Sequence, residues 1–332
     1  LIGAMATLTL GEAESIVARA LIRSRTSETN ATCVARALVA AEADGLKGHG
    51  LSRVPSYAAQ AKIGKVDGFA APTVERRRPG AAAIDAANGF AYPAIDAALA
   101  ALPAMAREVG IASAAIRRSH HCGAAGHPVE RLAAQDLVAL MFANTPAAIA
   151  PWGGAKAVFG TNPIAFACPL PGRAPLVVDL ALSKVARGNI LAAKQKGEKI
   201  PRGWALDAQG DPTTDPDAAL AGTMLPLGDA KGTPLLLMVE LLAAGLTGAN
   251  FAAEASSFLD DKGPPPGTGQ LIIAFDPAAF GGSAEHWARL IASIEAQAGA
   301  RLPGSRRLAA RRKAANDGLS LNDMLIGDIE AL

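Results

Sequence analysis

Four of the five histidines of this chain fall in two short segments, His49 in one and His120, His121 and His127 in the other. Histidine is the side chain best suited to moving protons near neutral pH. Glycine flanks both segments, as Gly48-His49-Gly50 and His121-Cys122-Gly123. Loop histidines can simply be exposed polar residues, but glycine lets a backbone come close to a ligand, which weakens that reading beside acid–base work. His120-His121-Cys122 also carries zinc-type donors. Paired zinc ligands usually stand two or more residues apart, and no second cluster with ligand spacing occurs. No metal is expected.

These segments need elements to position them. The first fifty residues read as two helices broken at Thr26 to Asn30, with Ser27 as N-cap of the second. Val34, Leu38 and Ala41 share a face of that helix, and Gly45 suits its end. Lys47 to Arg53 falls outside the periodicity and reads as a loop leading to a helix over Pro55 to Ala61. Apolar runs at Ile111–Ile116, Leu137–Ala143, Ile164–Ala167, Leu176–Leu180 and Leu271–Phe275 predict strands, with a helix over Pro128–Ala134. Ser183 is placed to cap a helix after the fourth of these. Trp287, Leu290, Ile291 and Ile294 return to helical spacing. The result is a mixed α/β centre between helical ends, without Gly- or Ser-rich tethers.

Several turn motifs sit at strand ends: Asn144-Thr145, Pro151-Trp152-Gly153-Gly154, Gly160-Thr161-Asn162-Pro163 and Asp179-Leu180-Ala181. Ligands gather at strand ends in α/β folds. No G-x-G-x-x-G follows a first strand and no phosphate-loop motif occurs, so any dinucleotide is held in another way.

Composition narrows the class. Of 332 residues, 50% are apolar and 19% charged, which excludes a disordered chain. Aromatics reach only 4%, and a net charge of +2 gives no case for nucleic acid. The most apolar stretch, Leu235 to Asn250, carries Glu240 and is too short to cross a hydrocarbon core of roughly 30 Å. The N-terminal residues lack a basic region and a long apolar run, so no signal peptide is expected, and Met5 is a candidate start. Cys33, Cys122 and Cys168 are too scattered for a disulfide framework. A cytoplasmic setting is the default.

The ordered motifs resemble the type-2 malate/L-lactate dehydrogenase family. The resemblance is carried by Gly48-His49-Gly50-x-x-Arg53-x-x-x-Tyr57, His121-x-Gly123, Pro151 to Gly154, Gly160 to Pro163, Asp179 to Ala181 and Pro303-Gly304. Together they span about residue 45 to 305. The family implies a non-Rossmann, mixed α/β cofactor-binding domain over 76–279. It also implies a helical substrate and dimerisation domain built from both chain ends, 1–75 plus 280–332. It implies NAD or NADP as cofactor and hydride transfer at a carbon next to a carboxylate, in a homodimer. By the same resemblance His49 and His121 are acid–base candidates. Arg53 binds the substrate carboxylate, which suits its planar fork, and Thr161 also contacts substrate. Cofactor positions are His121, Thr145, Asp179, Leu180, Ala181, Leu182, Ser183, Lys231, Gly304, Ser305 and Arg306. Gly48 stands where the family usually has serine, and Ser305 where many members have an acidic residue or histidine.

The expected activity is therefore interconversion of a small 2-hydroxy acid (malate, lactate or 3-sulfolactate) and its 2-oxo acid. Reduction of a cyclic ketimine acid, piperideine-2-carboxylate or pyrroline-2-carboxylate, uses the same residues. A non-catalytic cofactor-binding protein is a third reading, and retention of both His49 and Arg53 argues against it. Lys47 is a substrate-binding candidate as a second cation, which favours malate or 3-sulfolactate over lactate. A mean hydropathy of +0.23 adds to the case for a homodimer.

Overall fold

The computed structural model describes residues 5–332. Strand β1 (Met5–Leu8) leads into α1 (Leu10–Arg23), opened by a reciprocal cap between Thr9 and Glu12. Helix α2 (Glu28–Ala43) starts at the Ser27 cap expected from sequence, and α3 is Val54–Ile63. Next come β2 (Thr73–Arg78), β3 (Ala81–Asp85), α4 (Ala91–Val109), β4 (Ile111–Ser119), α5 (Gly126–Ala133) and β5 (Val138–Ala143). Strands β6 (Ile164–Leu170) and β7 (Arg173–Leu180) follow, then α6 (Arg187–Lys196). A small lobe holds β8 (Ala205–Leu206), β9 (Pro212–Thr213), α7 (Pro216–Ala221) and β10 (Thr223–Met224). Helix α8 (Gly232–Glu240) runs into a π turn over Leu241–Gly245, and β11 is Thr268–Phe275. The chain closes with α9 (Ala284–Glu295), α10 (Ser305–Asp317), β12 (Leu319–Asn322) and α11 (Asp323–Glu330).

Seven strands form the central sheet in the order β2-β3-β4-β11-β5-β6-β7, with only β3 and β4 parallel. This mixed order has none of the doubly wound pattern of a Rossmann domain, as expected. Alternation along the strands sends Met141 and Ile272 into the core beneath α4 and α5, and Phe142 and Leu271 into a core shared with α8. A further core joins Val17, Leu38 and Tyr57 to Leu319, Leu321 and Ile329, so both chain ends build one helical unit. The short sheet β1–β12 seals it, pairing Met5 with Asn322.

Each expected strand is present. Those at β4, β6, β7 and β11 run longer than their apolar runs, because paired neighbours extend the ladder. Ser183 is a correction. Ala186 occupies the N-cap of α6, while Ser183 pairs with Pro226 and Lys184 N–H donates to Leu225 O at 2.8 Å. That pairing holds the backbone extended, where no helix can start. Helix α9 packs on the sheet rather than on the terminal helices, through Trp287 Nε1–H donating to Pro169 O at 2.6 Å and an ion pair between Arg173 and Glu295 at 2.9 Å.

Candidate active site

Topology brings the chemistry to one edge of the sheet. Strands β4, β5 and β7 end there, and β6 and β11 begin there, given their antiparallel registers. His120 and His121 follow β4, Asn144 and Thr145 follow β5, Thr161 and Asn162 precede β6, and Ala181 follows β7. Helix α2 delivers His49 towards the same edge.

Beyond α2 the chain makes two short 3-10 turns, Lys47–His49 and Leu51–Arg53, joined at Gly50. A Cβ at Gly50 would overlap the Glu42 carboxylate and crowd its Cα, so a side chain there would force Glu42 to move. That carboxylate accepts the Leu51 N–H at 3.0 Å and fastens the loop to α2. Gly48 is different, since a side chain there would meet nothing within 4 Å. Its carbonyl accepts Arg53 Nε–H at 2.6 Å, leaving the two terminal nitrogens of Arg53 for a ligand.

Behind His49 lies a line of buried polar rings. His49 Nδ1 stands 3.2 Å from His121 Nε2, and the rings stack with centroids 5.2 Å apart. His121 Nδ1 is 2.6 Å from the Tyr57 hydroxyl, which is 3.2 Å from that of Tyr92. Burial, then the Arg53 guanidinium and His127, lowers His49 to a pKa of about 4. The same burial, with Arg53, pushes His121 well below the usual histidine range. Burial raises Tyr57 and Tyr92. All four groups are neutral at pH 7.

The adjacent His120-His121-Cys122 side chains turn three ways. His120 Nε2 pairs with Gln60 Oε1 at 2.9 Å between Tyr57, Phe90 and Phe258, and burial lowers its pKa to about 3. Cys122 turns to a separate cavity. Among the described residues no three His, Cys, Asp or Glu side chains converge as metal donors would.

His49 lines a cleft of about 810 Å³, with Asp179, Leu180 and Ala181 on one wall and Gly304, Ser305 and Arg306 on another. Asp179 Oδ2 accepts the Gly126 N–H at the start of α5, at 2.7 Å. Gly304, with φ +80°, turns the chain into α10 without a side-chain cap. The first N–H groups of a helix suit an anion, and Arg301 and Arg306 flank them in the cleft. Ser305 Oγ is buried there with no protein partner. The cleft's size, its basic helix start and this orphaned hydroxyl fit a phosphate-bearing dinucleotide. Behind the start of α10, Arg307 and Arg311 grip Asp44 and Glu130, and His127 donates to Asp44 at 2.8 Å.

Not every sequence candidate reaches this cleft. Thr145 Oγ1 accepts the Thr161 N–H at 2.8 Å, and the two hydroxyls stand 3.3 Å apart, outside the cleft lining. Leu182 is buried in the core shared with α8, and Ser183 is buried with an unpaired hydroxyl. Lys231 is exposed on the 3-10 turn Asp229–Lys231, and Lys47 is exposed beside the cleft rather than lining it.

Sequence reasoning passed over other residues. Tyr57 was visible as a motif residue without a role, and Tyr92 gave no signal. Glu240, the lone acid in an apolar stretch, is buried and accepts from Asn144, Asn162 and the Ala252 N–H at 2.7–3.0 Å. Its isolation in that stretch was the available clue, because a buried charge must be partnered.

The sequence matches the malate/L-lactate dehydrogenase family over residues 8–330. It is 51% identical to a (2R)-3-sulfolactate dehydrogenase (NADP(+)) of Chromohalobacter salexigens, over 98% of this chain and 97% of that one. The delta1-piperideine-2-carboxylate reductase of Pseudomonas syringae pvar. tomato superposes with a TM-score of 0.91 at 37% identity, covering 98% of this chain and 99% of that one. The sulfolactate dehydrogenase of Methanocaldococcus jannaschii gives 0.90 at 30% identity, covering 98% and 96%. The expectation of a nicotinamide-dependent oxidoreductase with a non-Rossmann, mixed α/β fold is borne out. By a match along nearly all of its described residues and by its fold, the chain belongs to the malate/L-lactate dehydrogenase family.

Proposed function

We propose that the chain is an NADP-dependent dehydrogenase of a 2-hydroxy acid of the 3-sulfolactate type. The observation that carries this reading is the 51% identity, over almost the whole chain, to a (2R)-3-sulfolactate dehydrogenase (NADP(+)). A nicotinamide cofactor held in the cleft would supply hydride exchange at the carbon that bears the hydroxyl. His49 meets the substrate oxygen through Nε2, because Nδ1 is already engaged by His121. Arg53 pairs its two free nitrogens with the substrate carboxylate, since Nε is spent on Gly48 O. Ser305, the start of α10 and Arg306 hold phosphate, and Asp179 lies along the same cleft.

The ketimine reading keeps support from the 0.91 superposition on a piperideine-2-carboxylate reductase. An imine nitrogen would then replace the oxygen at His49. Comparing kcat/KM for (2R)-3-sulfolactate, malate and lactate oxidation, and for cyclic-imine reduction, with each cofactor separates the two. We expect 3-sulfolactate with NADP to lead. A cyclic imine reduced faster than any of the acids reacts would replace this reading with the second.

We further infer a homodimer in the cytoplasm. Leu235, Leu237, Met238 and Leu241, with Leu246 just past the π turn, are 40–64% exposed, an apolar face suited to a second copy. Three unpaired, buried cysteines fit a reducing compartment. No described helix is long and apolar enough to cross a membrane.

A further inference from the structure

We propose that His49, His121, Tyr57 and Tyr92 form a proton relay linking the substrate oxygen to a second cavity, separate from the cleft. The inference rests on His49 as the acid–base group. The relay's links are the contacts of 3.2, 2.6 and 3.2 Å already described. Its inner members are sealed: Tyr57 has no exposed surface and His121 is 5% exposed. Its outer member is not a dead end. Tyr92 lines a cavity of about 370 Å³ with Cys33, Asp96, Cys122, His127 and Arg131, and this lining shares no residue with the cleft. The ion pair of Asp96 and Arg131, with side chains 36% and 56% exposed, places solvent at that lining. Its polar groups can hold water.

Each of the four groups, when neutral, has one proton to give and one site to receive another. One orientation serves reduction. Tyr92 O–H donates to the Tyr57 oxygen, Tyr57 O–H to His121 Nδ1, His121 Nε2–H to His49 Nδ1, and His49 Nε2–H to the substrate oxygen. As the hydride adds to carbon, the His49 Nε2–H bond breaks and the substrate O–H bond forms. Each earlier group passes on one proton, and the Tyr92 oxygen takes one from water in the second cavity. The electron pair comes from the hydride donor, the proton comes from solvent, and no ring is left charged. Oxidation runs the same line backwards.

The relay resolves a difficulty in the site. A neutral imidazole that loses its only N–H becomes imidazolate unless its other nitrogen is reprotonated in the same event. His49 Nδ1 faces His121 rather than solvent, so that proton has to arrive through His121. Gly123 leaves the space Tyr92 needs, since a Cβ there would stand 2.7 Å from the Tyr92 hydroxyl.

The test uses the intact enzyme with the best substrate of the panel, following the hydride step by stopped-flow absorbance in H2O–D2O mixtures. Tyr92→Phe keeps the ring and deletes the outer hydroxyl. We expect the step to slow about 10- to 100-fold, with the cofactor Kd unchanged. The proton inventory should change from curved, with several protons in flight, to linear. Incorporating 3-fluorotyrosine at position 92 should restore the rate. Ile95→Val, which alters the same cavity outside the relay, should behave as the parent enzyme. If His49→Gln turns over at the native rate, the acid–base assignment falls and the relay with it. If His49→Gln is slow while Tyr92→Phe keeps the native rate, the relay alone falls. A slow Tyr92→Phe with the native inventory also overturns it, since lost packing then accounts for the effect.

Discussion

His49 is neutral over the whole physiological range, because burial and Arg53 hold its pKa at about 4. In the oxidation direction it acts as a base, so activity needs it unprotonated. The profile of kcat/KM against pH, which reports the free enzyme, should stay flat on the acid side until close to pH 4. A limb near 6.5, where an unperturbed histidine titrates, would show that the site is wetter than the structure indicates. Lys47 shares a 3-10 turn with His49 and is exposed. If it reaches the far end of a dianionic substrate, Lys47→Met should raise KM for 3-sulfolactate about 10-fold, as expected for loss of one charge-assisted contact, and leave lactate unchanged. Equal effects on both would return Lys47 to solvent. The glycines on either side of His49 differ in kind: a side chain at Gly50 would displace Glu42, whereas Gly48 leaves open space at the loop.

Between elements, the strongest tie near the cleft is the cluster of Asp44 at the end of α2, Glu130 on α5, and Arg307 and Arg311 on α10. Burial alone would raise the Asp44 carboxyl, but hydrogen bonds from Arg311 and His127 outweigh it and hold the group below the usual range. Removing the charge leaves arginines facing a neutral amide, so Asp44→Asn should cost about 3 kcal/mol in denaturant unfolding. It should also raise the cofactor KM by loosening α10. Because the folded pKa is depressed, the stabilisation is complete above the ordinary aspartate pKa and is lost only as pH falls below it. The difference between parent and variant should therefore not shrink between pH 8 and pH 5. The strands bounding this region were legible, because buried apolar runs mark them. Their order was not. Strand β11 slots between β4 and β5, a pairing of residues 268–275 with 111–119 and 138–143 that no local pattern announces. Likewise the histidine cluster stood out, while the opposite turns of His120 and His121 depend on Gln60 and Tyr57, contributed by a distant helix.

For the molecule as a whole, the exposed leucines of α8 and its π turn set the expectation of assembly. Light scattering should give a dimer mass at micromolar concentration, and Leu237→Asp with Leu241→Asp should give monomers. A parent monomer across that range would leave the face unexplained. The pairing of β1 with β12 also bears on how the chain comes to be folded. Arg23 donates to the Glu330 carbonyl at 2.9 Å, across 307 residues, and Lys62 reaches the Leu332 carbonyl at 3.0 Å. The central sheet has all its strands once residue 275 has been made, whereas α1 to α3 lack β12 and α11 until residues 319–330 have been made. On a ribosome α1 to α3 are thus made before the sheet yet finished after it, and their apolar faces must wait while the sheet forms behind them. The loop that carries His49 belongs to that waiting unit, so the active site is assembled only after residues 319–330 have been made.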